Sequence, residues 1–251
     1  MPELKLSYED LLSGDAIPME GVGHLRSPKL KELMPTSGIG MTQYNLYIYF
    51  LKAGKEQLNE IFGTGIEHDD DVFAAVTGNA TIRGIYLAAF SFFLTETVGY
   101  SEKHKVFAVF DGDSAGAEAR VVGIIDAAGF DRVRSAILHL NYITPEHSNV
   151  ATRHSSPEAE AAWSRAQKYL SQLESRKTDS SYSLGNMLSK LCAIHPSINY
   201  LNVYELTVFQ FYDSFFQTAY MRSVGFSEAV VASNGSKKFR YSDWMKPLKQ
   251  N

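Results

Sequence analysis

Two aspartates set two residues apart offer the strongest candidate for chemistry in this chain. They stand in Phe110-Asp111-Gly112-Asp113-Ser114-Ala115-Gly116-Ala117-Glu118-Ala119. Carboxylates at that spacing after a strand can share Mg2+, which assists phosphoryl transfer by neutralising developing charge. The same residues also have a structural reading. Asp-Gly between two apolar β-like runs is ordinary hairpin chemistry, because glycine supplies the positive φ such turns need. The turn is the preferred account, with a metal site at Asp111 and Asp113 as the alternative. No other group competes. Glu67-His68-Asp69-Asp70-Asp71 lacks the spacing of a calcium loop and reads as a solvated acidic entrance to the next helix. The seven histidines are scattered, and with the single Cys192 they form no zinc cluster. Cys192 shares helical spacing with Met187, Leu188 and Leu191 and reads as a small buried hydrophobe. There is no Gly-x-Ser-x-Gly elbow, Walker loop or dinucleotide fingerprint. No cofactor and no catalysis are expected; a triad assembled from distant residues stays open.

The elements that must position these residues are mostly helical. Apolar residues recur at helical spacing from Met41 to Phe62, with Gly54 as a break and Gly63-Thr64-Gly65 as a stop. A second helical stretch is expected from about Val72 to Thr97, breaking near Gly78-Asn79. Val106–Phe110 and Val121–Ile125 are β-like runs, most simply joined as an antiparallel hairpin. Asp131 is expected to cap the helix that carries Val133, Ile137, Leu138 and Leu140. Ser183 should cap a helix reaching Ala193, and Pro196 should break it. A last long helix is expected from about Val203 to Arg222, followed by a strand at Ala229-Val230-Val231 and a turn at Asn234-Gly235. Near the N-terminus, Leu4 and Leu6 alternate as in a brief strand. Residues 17–23 read as an ordered arm or turn, and Ser27-Pro28 could open a short helix.

The composition suits a folded domain: 251 residues, 45% hydrophobic and 21% charged. A chain of this length can bury a sizeable core without disulfides. The formal charge of −4 argues against nucleic acid as a partner, because phosphate neutralisation calls for a basic excess. The lone cysteine favours a reducing compartment. Met-Pro-Glu-Leu-Lys-Leu carries no apolar signal core, and the longest apolar run, Ile85 to Leu94, is about half of the ~20 residues a membrane span needs. The expectation is one mainly α-helical domain over residues 1–251 with a small antiparallel β element. A polar loop and an exposed helical arm occupy about 144–182. Aromatic anchoring makes Trp163, Tyr169, Phe211 and Phe215 the candidate protein contacts, with plain core as the competing account.

Two resemblances bear on function. The Asp111 segment resembles the Asp-x-Asp-x-Ala-Gly-x-x-Ala stretch of Toprim domains, which implies Mg2+ held by Asp111 and Asp113 and an upstream glutamate on an earlier strand of a β-α repeat. Glu67 is the nearest candidate for that glutamate. A longer resemblance is carried by residues 21–33, by the hairpin with Asn141-Tyr142-Ile143, by 184–199, by 201–213 and by 239–244. These stretches resemble a family encoded in tail-gene clusters of phages and prophages of Gram-positive bacteria. That resemblance implies a tail assembly chaperone in the bacterial cytoplasm. Its partners would be a tape measure or tube subunit, or further copies of itself. A structural tail or baseplate component is the other non-enzymatic reading. The Asp-Gly-Asp-Ser-Ala-Gly loop departs from the family's pattern, so an added function there stays open.

Overall fold

Asparagine, aspartate, serine and glycine punctuate the apolar runs, and among the described residues the result is eight α-helices and two small antiparallel sheets. The structure, a computed structural model, describes residues 6–112, 120–143 and 183–234. It is mainly α, as the periodicity implies. Its contacts group into two compact units. Described residues 6–112, 120–143 and 204–213 belong to the first, and 183–203 and 214–234 to the second. No helix among the described residues is long and apolar enough to cross a membrane.

The first unit begins with α1 (Tyr8–Ser13), whose N-cap Ser7 accepts the Asp10 N–H. The hairpin of β1 (Ile17–Met19) and β2 (Gly23–Leu25) follows. Leu4 lies outside the described residues. Helices α2 (Met41–Lys52) and α3 (Lys55–Phe62) part at Ala53-Gly54, and Gly63 closes α3 in the left-handed conformation. The expected break near Gly78-Asn79 separates α4 (Val72–Gly78) from α5 (Ala80–Phe93); the Asn79 side chain accepts the N–H groups of Thr81 and Ile82. This helical stretch does not reach Thr97. It stops at Phe93, and β3 (Thr97–Ser101) takes over. The reason is tertiary: Leu94 bridges to Leu25, with Arg26 N–H on the Phe93 carbonyl and Thr95 N–H on the His24 carbonyl.

β3, β4 (Val106–Asp111) and β5 (Arg120–Ile125) form one antiparallel sheet in that order, with Asp111 opposite Arg120. The hairpin is therefore the one its apolar runs imply, with a third strand added in front. At Gly123 the backbone of Val22 lies where a Cβ would sit, and Ile124 N–H donates to the Gly21 carbonyl. The β1–β2 turn can cross β5 at that place only because the residue has no side chain. Helix α6 (Ala127–Leu140) starts earlier than expected. Asp126, not Asp131, is its cap, accepting the Gly129 N–H, and Asp131 sits inside the helix paired with Arg134 at 2.8 Å.

The core of this unit is aromatic. Phe107 of β4 meets Phe90 of α5 with ring centroids 5.2 Å apart, and Phe130 of α6 lies 5.3 Å from Tyr86 and 5.2 Å from Phe73. The Phe107–Phe90 and Phe130–Phe73 pairs are edge-to-face, and such contacts contribute about 0.5–1.5 kcal/mol each beyond area burial. The end of α2 is held by the same two helices. Tyr86 donates to the Phe50 carbonyl at 2.6 Å, while Arg134 gives Nε to Leu51 O and Nη2 to Ala53 O. Carbonyls in the last turn of a helix run out of intrahelical donors; the Ala53 N–H also reaches Phe50 O, at 3.2 Å, and side chains from α5 and α6 complete the end of α2. Burial pushes the Tyr86 hydroxyl up to about 12. A second buried relay joins the Tyr44 hydroxyl to Asn141 Oδ1 at 3.0 Å and Asn141 Nδ2 to the Ile137 carbonyl at 2.7 Å.

The second unit contains α7 (Leu184–Ile194), with Ser183 as its cap and Met187, Leu188 and Leu191 buried on one face. Helix α8 (Val208–Asn234) begins in the first unit and continues into the second. It starts later than Val203, behind a 3-10 turn at Val203–Glu205. Thr207 and Gln210 make a reciprocal capping box: Thr207 Oγ1 accepts the Gln210 N–H, and Gln210 Oε1 accepts the Thr207 N–H. Residues 229–231 continue this helix instead of forming a strand. Ser27 and Pro28 do not open a helix of their own. The buried Ser27 hydroxyl accepts the Phe209 N–H, and the Pro28 carbonyl accepts the Val208 N–H. They close the N-terminus of α8, and the nearby 3-10 turn Leu30–Leu33 starts from Lys29.

Two measurements test this packing. Asn141→Ala leaves the Tyr44 hydroxyl without its acceptor and should cost about 1–3 kcal/mol, read as a lower urea midpoint; an unchanged midpoint would refute the relay. Burial holds His139 below its ordinary value. The unfolded chain then takes up a proton first as pH falls, so stability is complete above about 6.5 and declines as pH drops through the folded value. His139→Gln should flatten that part of the urea-midpoint profile, and an identical profile in the variant refutes the assignment.

Candidate functional site

The sheet's two faces differ in what covers them. Phe107, Val109 and Ile125 point into the aromatic core and are fully buried. The outer side carries Val106, Ala108 and Phe110 from β4 and Val121 and Ile124 from β5. Val121 is 52% exposed and Ile124 45% exposed. With Ser101, His104 and Asp126 these residues line an open depression of about 540 Å3. An antiparallel sheet with one solvated face usually alternates apolar and polar residues. Here the solvated face is apolar too. A register shift at Val109/Phe110 sets both Val121 and Val122 toward solvent, and Val122 is also exposed. The chemistry open to such a face is the burial of another apolar surface.

The second unit holds a different apolar feature. After α7 the chain turns through residues 195–203 in a lattice of local hydrogen bonds. His195 Nδ1 accepts the N–H groups of Ser197 and Ile198, Asn199 Oδ1 accepts the Leu201 N–H, and Asn202 Oδ1 accepts the Asn199 N–H. Asn202 Nδ2 donates to the Ser197 carbonyl, and the Tyr200 hydroxyl meets Ser189 Oγ at 3.1 Å. At the tip stand Tyr200, 62% exposed, and Leu201, 95% exposed. A leucine held out into water on an ordered turn has surrendered its backbone freedom already, which lowers the cost of binding through it.

The residues singled out by sequence fall elsewhere. Asp111 is the exposed last residue of β4, in the middle strand of an antiparallel sheet, and Asp113 lies outside the described residues. Glu67 is exposed on the connection between α3 and α4. No group of three or more His, Cys, Asp or Glu among the described residues is placed to hold a metal ion. At the hairpin the described residues supply Asp111, and the described strands β3, β4 and β5 are antiparallel, with no parallel β-α repeat among them. Trp163 and Tyr169 lie outside the described residues. Phe211 is fully buried in the first unit, and Phe215 is half-buried with its ring 5.7 Å from that of Phe216. The sheet face had a signal in the sequence: Val106–Phe110 and Val121–Ile125 are apolar at every position but glycine, so both faces of the hairpin had to be apolar. Leu201 had none, because exposure of a single leucine is decided by what packs nearby.

Residues 175–249 match the family described as the YomV second domain. The matched stretch takes in α7, the Tyr200-Leu201 turn and all of α8. No curated protein and no solved structure matches the chain.

Adjacent residues of β5 test the division between faces. Ile125→Ala opens the core and should cost about 2–5 kcal/mol, whereas Ile124→Ala on the outer face should stay within about 1 kcal/mol. Equal losses in urea unfolding would mean the outer face is covered.

Proposed function

We propose that this chain is a phage or prophage tail-morphogenesis protein, an assembly chaperone that works by binding protein and not by catalysis. The apolar outer face of β3–β4–β5 carries the reading. It is exposed, concave and rimmed by polar groups, the form of a surface that shields a partner's apolar patch for a time. The match over 175–249 to the YomV second domain, a phage-derived name, supports the phage association. The partner is a tape measure or tube subunit whose own apolar surface needs cover before assembly, in the cytoplasm of the bacterial host. Neither Trp163 nor Tyr169 is required by this reading; Val121, Ile124 and Phe110 are the contacts it names.

The test is recovery of the tagged chain from cells that are making particles. A tail protein should co-purify, the chain should be missing from finished particles, and Ile124→Asp should reduce the recovered tail protein at least about ten-fold. Stoichiometric presence in finished particles would instead identify a structural tail or baseplate component. Mg2+-dependent nicking or primer synthesis that disappears in Asp111→Ala would replace the chaperone by an enzyme.

A further inference from the structure

His195 stands at a joint in the chain. Its backbone N–H closes α7 on the Leu191 carbonyl at 2.8 Å, and its side chain opens the turn that follows. The ring Nδ1 accepts the Ser197 N–H at 3.2 Å and the Ile198 N–H at 3.0 Å. Two donors aimed at one ring nitrogen require its lone pair, so the neutral ring carries its proton on Nε2. We propose that the turn over residues 195–203 is a pH-sensitive switch: protonation of His195 at Nδ1 unfastens it and frees Leu201 from its fixed, exposed position.

The hydrogen bonds set the direction. An imidazolium carries N–H on both nitrogens and accepts at neither. The Ser197 and Ile198 N–H groups would then face a third donor. The rest of the turn builds on that start. Asn202 Nδ2 donates to the Ser197 carbonyl, Asn202 Oδ1 accepts the Asn199 N–H, and Asn199 Oδ1 accepts the Leu201 N–H. The Asn199 carbonyl takes the N–H groups of Asn202, at 3.2 Å, and Val203, at 2.9 Å. Within this network histidine is the side-chain type that changes charge between about pH 5 and 8. Order is therefore complete while the ring is neutral and is lost as pH falls.

The surroundings do not offset the new charge. His195 is half-buried, so protons reach it from solvent. The other titratable and charged groups in the described part of the second unit are Lys190, Cys192 and Tyr200, with Tyr220, Arg222 and Glu228 on α8. No ion pair among the described residues involves His195. The next carboxylate after the turn, Glu205, is paired with Lys29 at 3.1 Å and Lys31 at 2.9 Å. At neutral pH the turn holds Leu201, 95% exposed, on an ordered backbone. Once His195 is protonated, anything that binds through Leu201 must order the turn itself, so such contact weakens in acid.

Nuclear magnetic resonance of the isotope-labelled full-length chain from about pH 8 to pH 5 tests this. The His195 ring signals report protonation, and the Ser197 and Ile198 amide protons report the two hydrogen bonds. In the wild type these amides should move upfield in step with the ring. The Leu201 order parameter should fall from about 0.85 to below about 0.6. His195→Asn keeps an acceptor near the place of Nδ1 that does not titrate, and its turn should stay ordered throughout. His195→Ala removes the acceptor, and its turn should be loose at both ends of the range. Circular dichroism checks that each variant folds; should either fail, the wild-type series decides alone. A ring that stays neutral to pH 5, amides that hold their positions while the ring titrates, or a His195→Asn turn that loosens like the wild type would each overturn the proposal.

Discussion

Phe107 packed against Phe90 of α5 and Phe73 of α4 is the contact on which the first unit depends. A three-stranded sheet has no core of its own and must lay one face on helices. Here Phe107 reaches Phe90, and Phe130 joins Phe90, Tyr86 and Phe73 into one aromatic group. That group settles more than the sheet's position. It brings Tyr86 and Arg134 to the end of α2, where they accept the burden of three backbone carbonyls. It also decides which side of the hairpin is left over, since period-two alternation sends Ala108 and Phe110 away from the core whenever Phe107 and Val109 face it.

A second closure runs over a much longer stretch of chain. Ser27 and Pro28 satisfy the first N–H groups of α8, 182 residues further on in the case of Ser27 and Phe209. Tyr8 adds a hydrogen bond to the buried Asp213, and Gln210 holds the Leu12 carbonyl. The N-terminal segment is thus fastened to the first turns of α8 by polar groups that are costly to leave unpaired. The His24–Glu96 latch plays the same part at β2. Burial alone would raise the Glu96 carboxyl. The His24 backbone and side-chain hydrogen bonds, with that of Thr95, outweigh it and hold the group below the usual glutamate value.

What the molecule leaves facing water is as informative as what it buries. Helix α7 buries Met187, Leu188 and Leu191, yet the turn that follows lifts Leu201 clear. The outer face of the sheet keeps five apolar side chains around an open depression. Scattered single hydrophobes on a surface mean little. An ordered tip and a continuous concave face are different, because each is already arranged to bury partner surface.

The helical class, the break at Gly78-Asn79, the hairpin of β4 and β5 and the Ser183 cap were all legible in the sequence, because each rests on local chemistry: periodicity, a cap side chain, a glycine. The Thr207–Gln210 capping box was equally local and marks the start of α8 better than the apolar pattern upstream of it. Other features had no local cause. Thr97–Ser101 leaves the helical run because Leu94 finds Leu25. Ser27 caps a distant helix, and Asp126 takes the place of Asp131 because the sheet delivers the chain there. The apolar strands announced that both faces of the hairpin were greasy, but only tertiary packing decided which face the aromatic core would claim. Residue types determine which groups must be buried or bonded; the partners they find across the fold determine which of them remain outside.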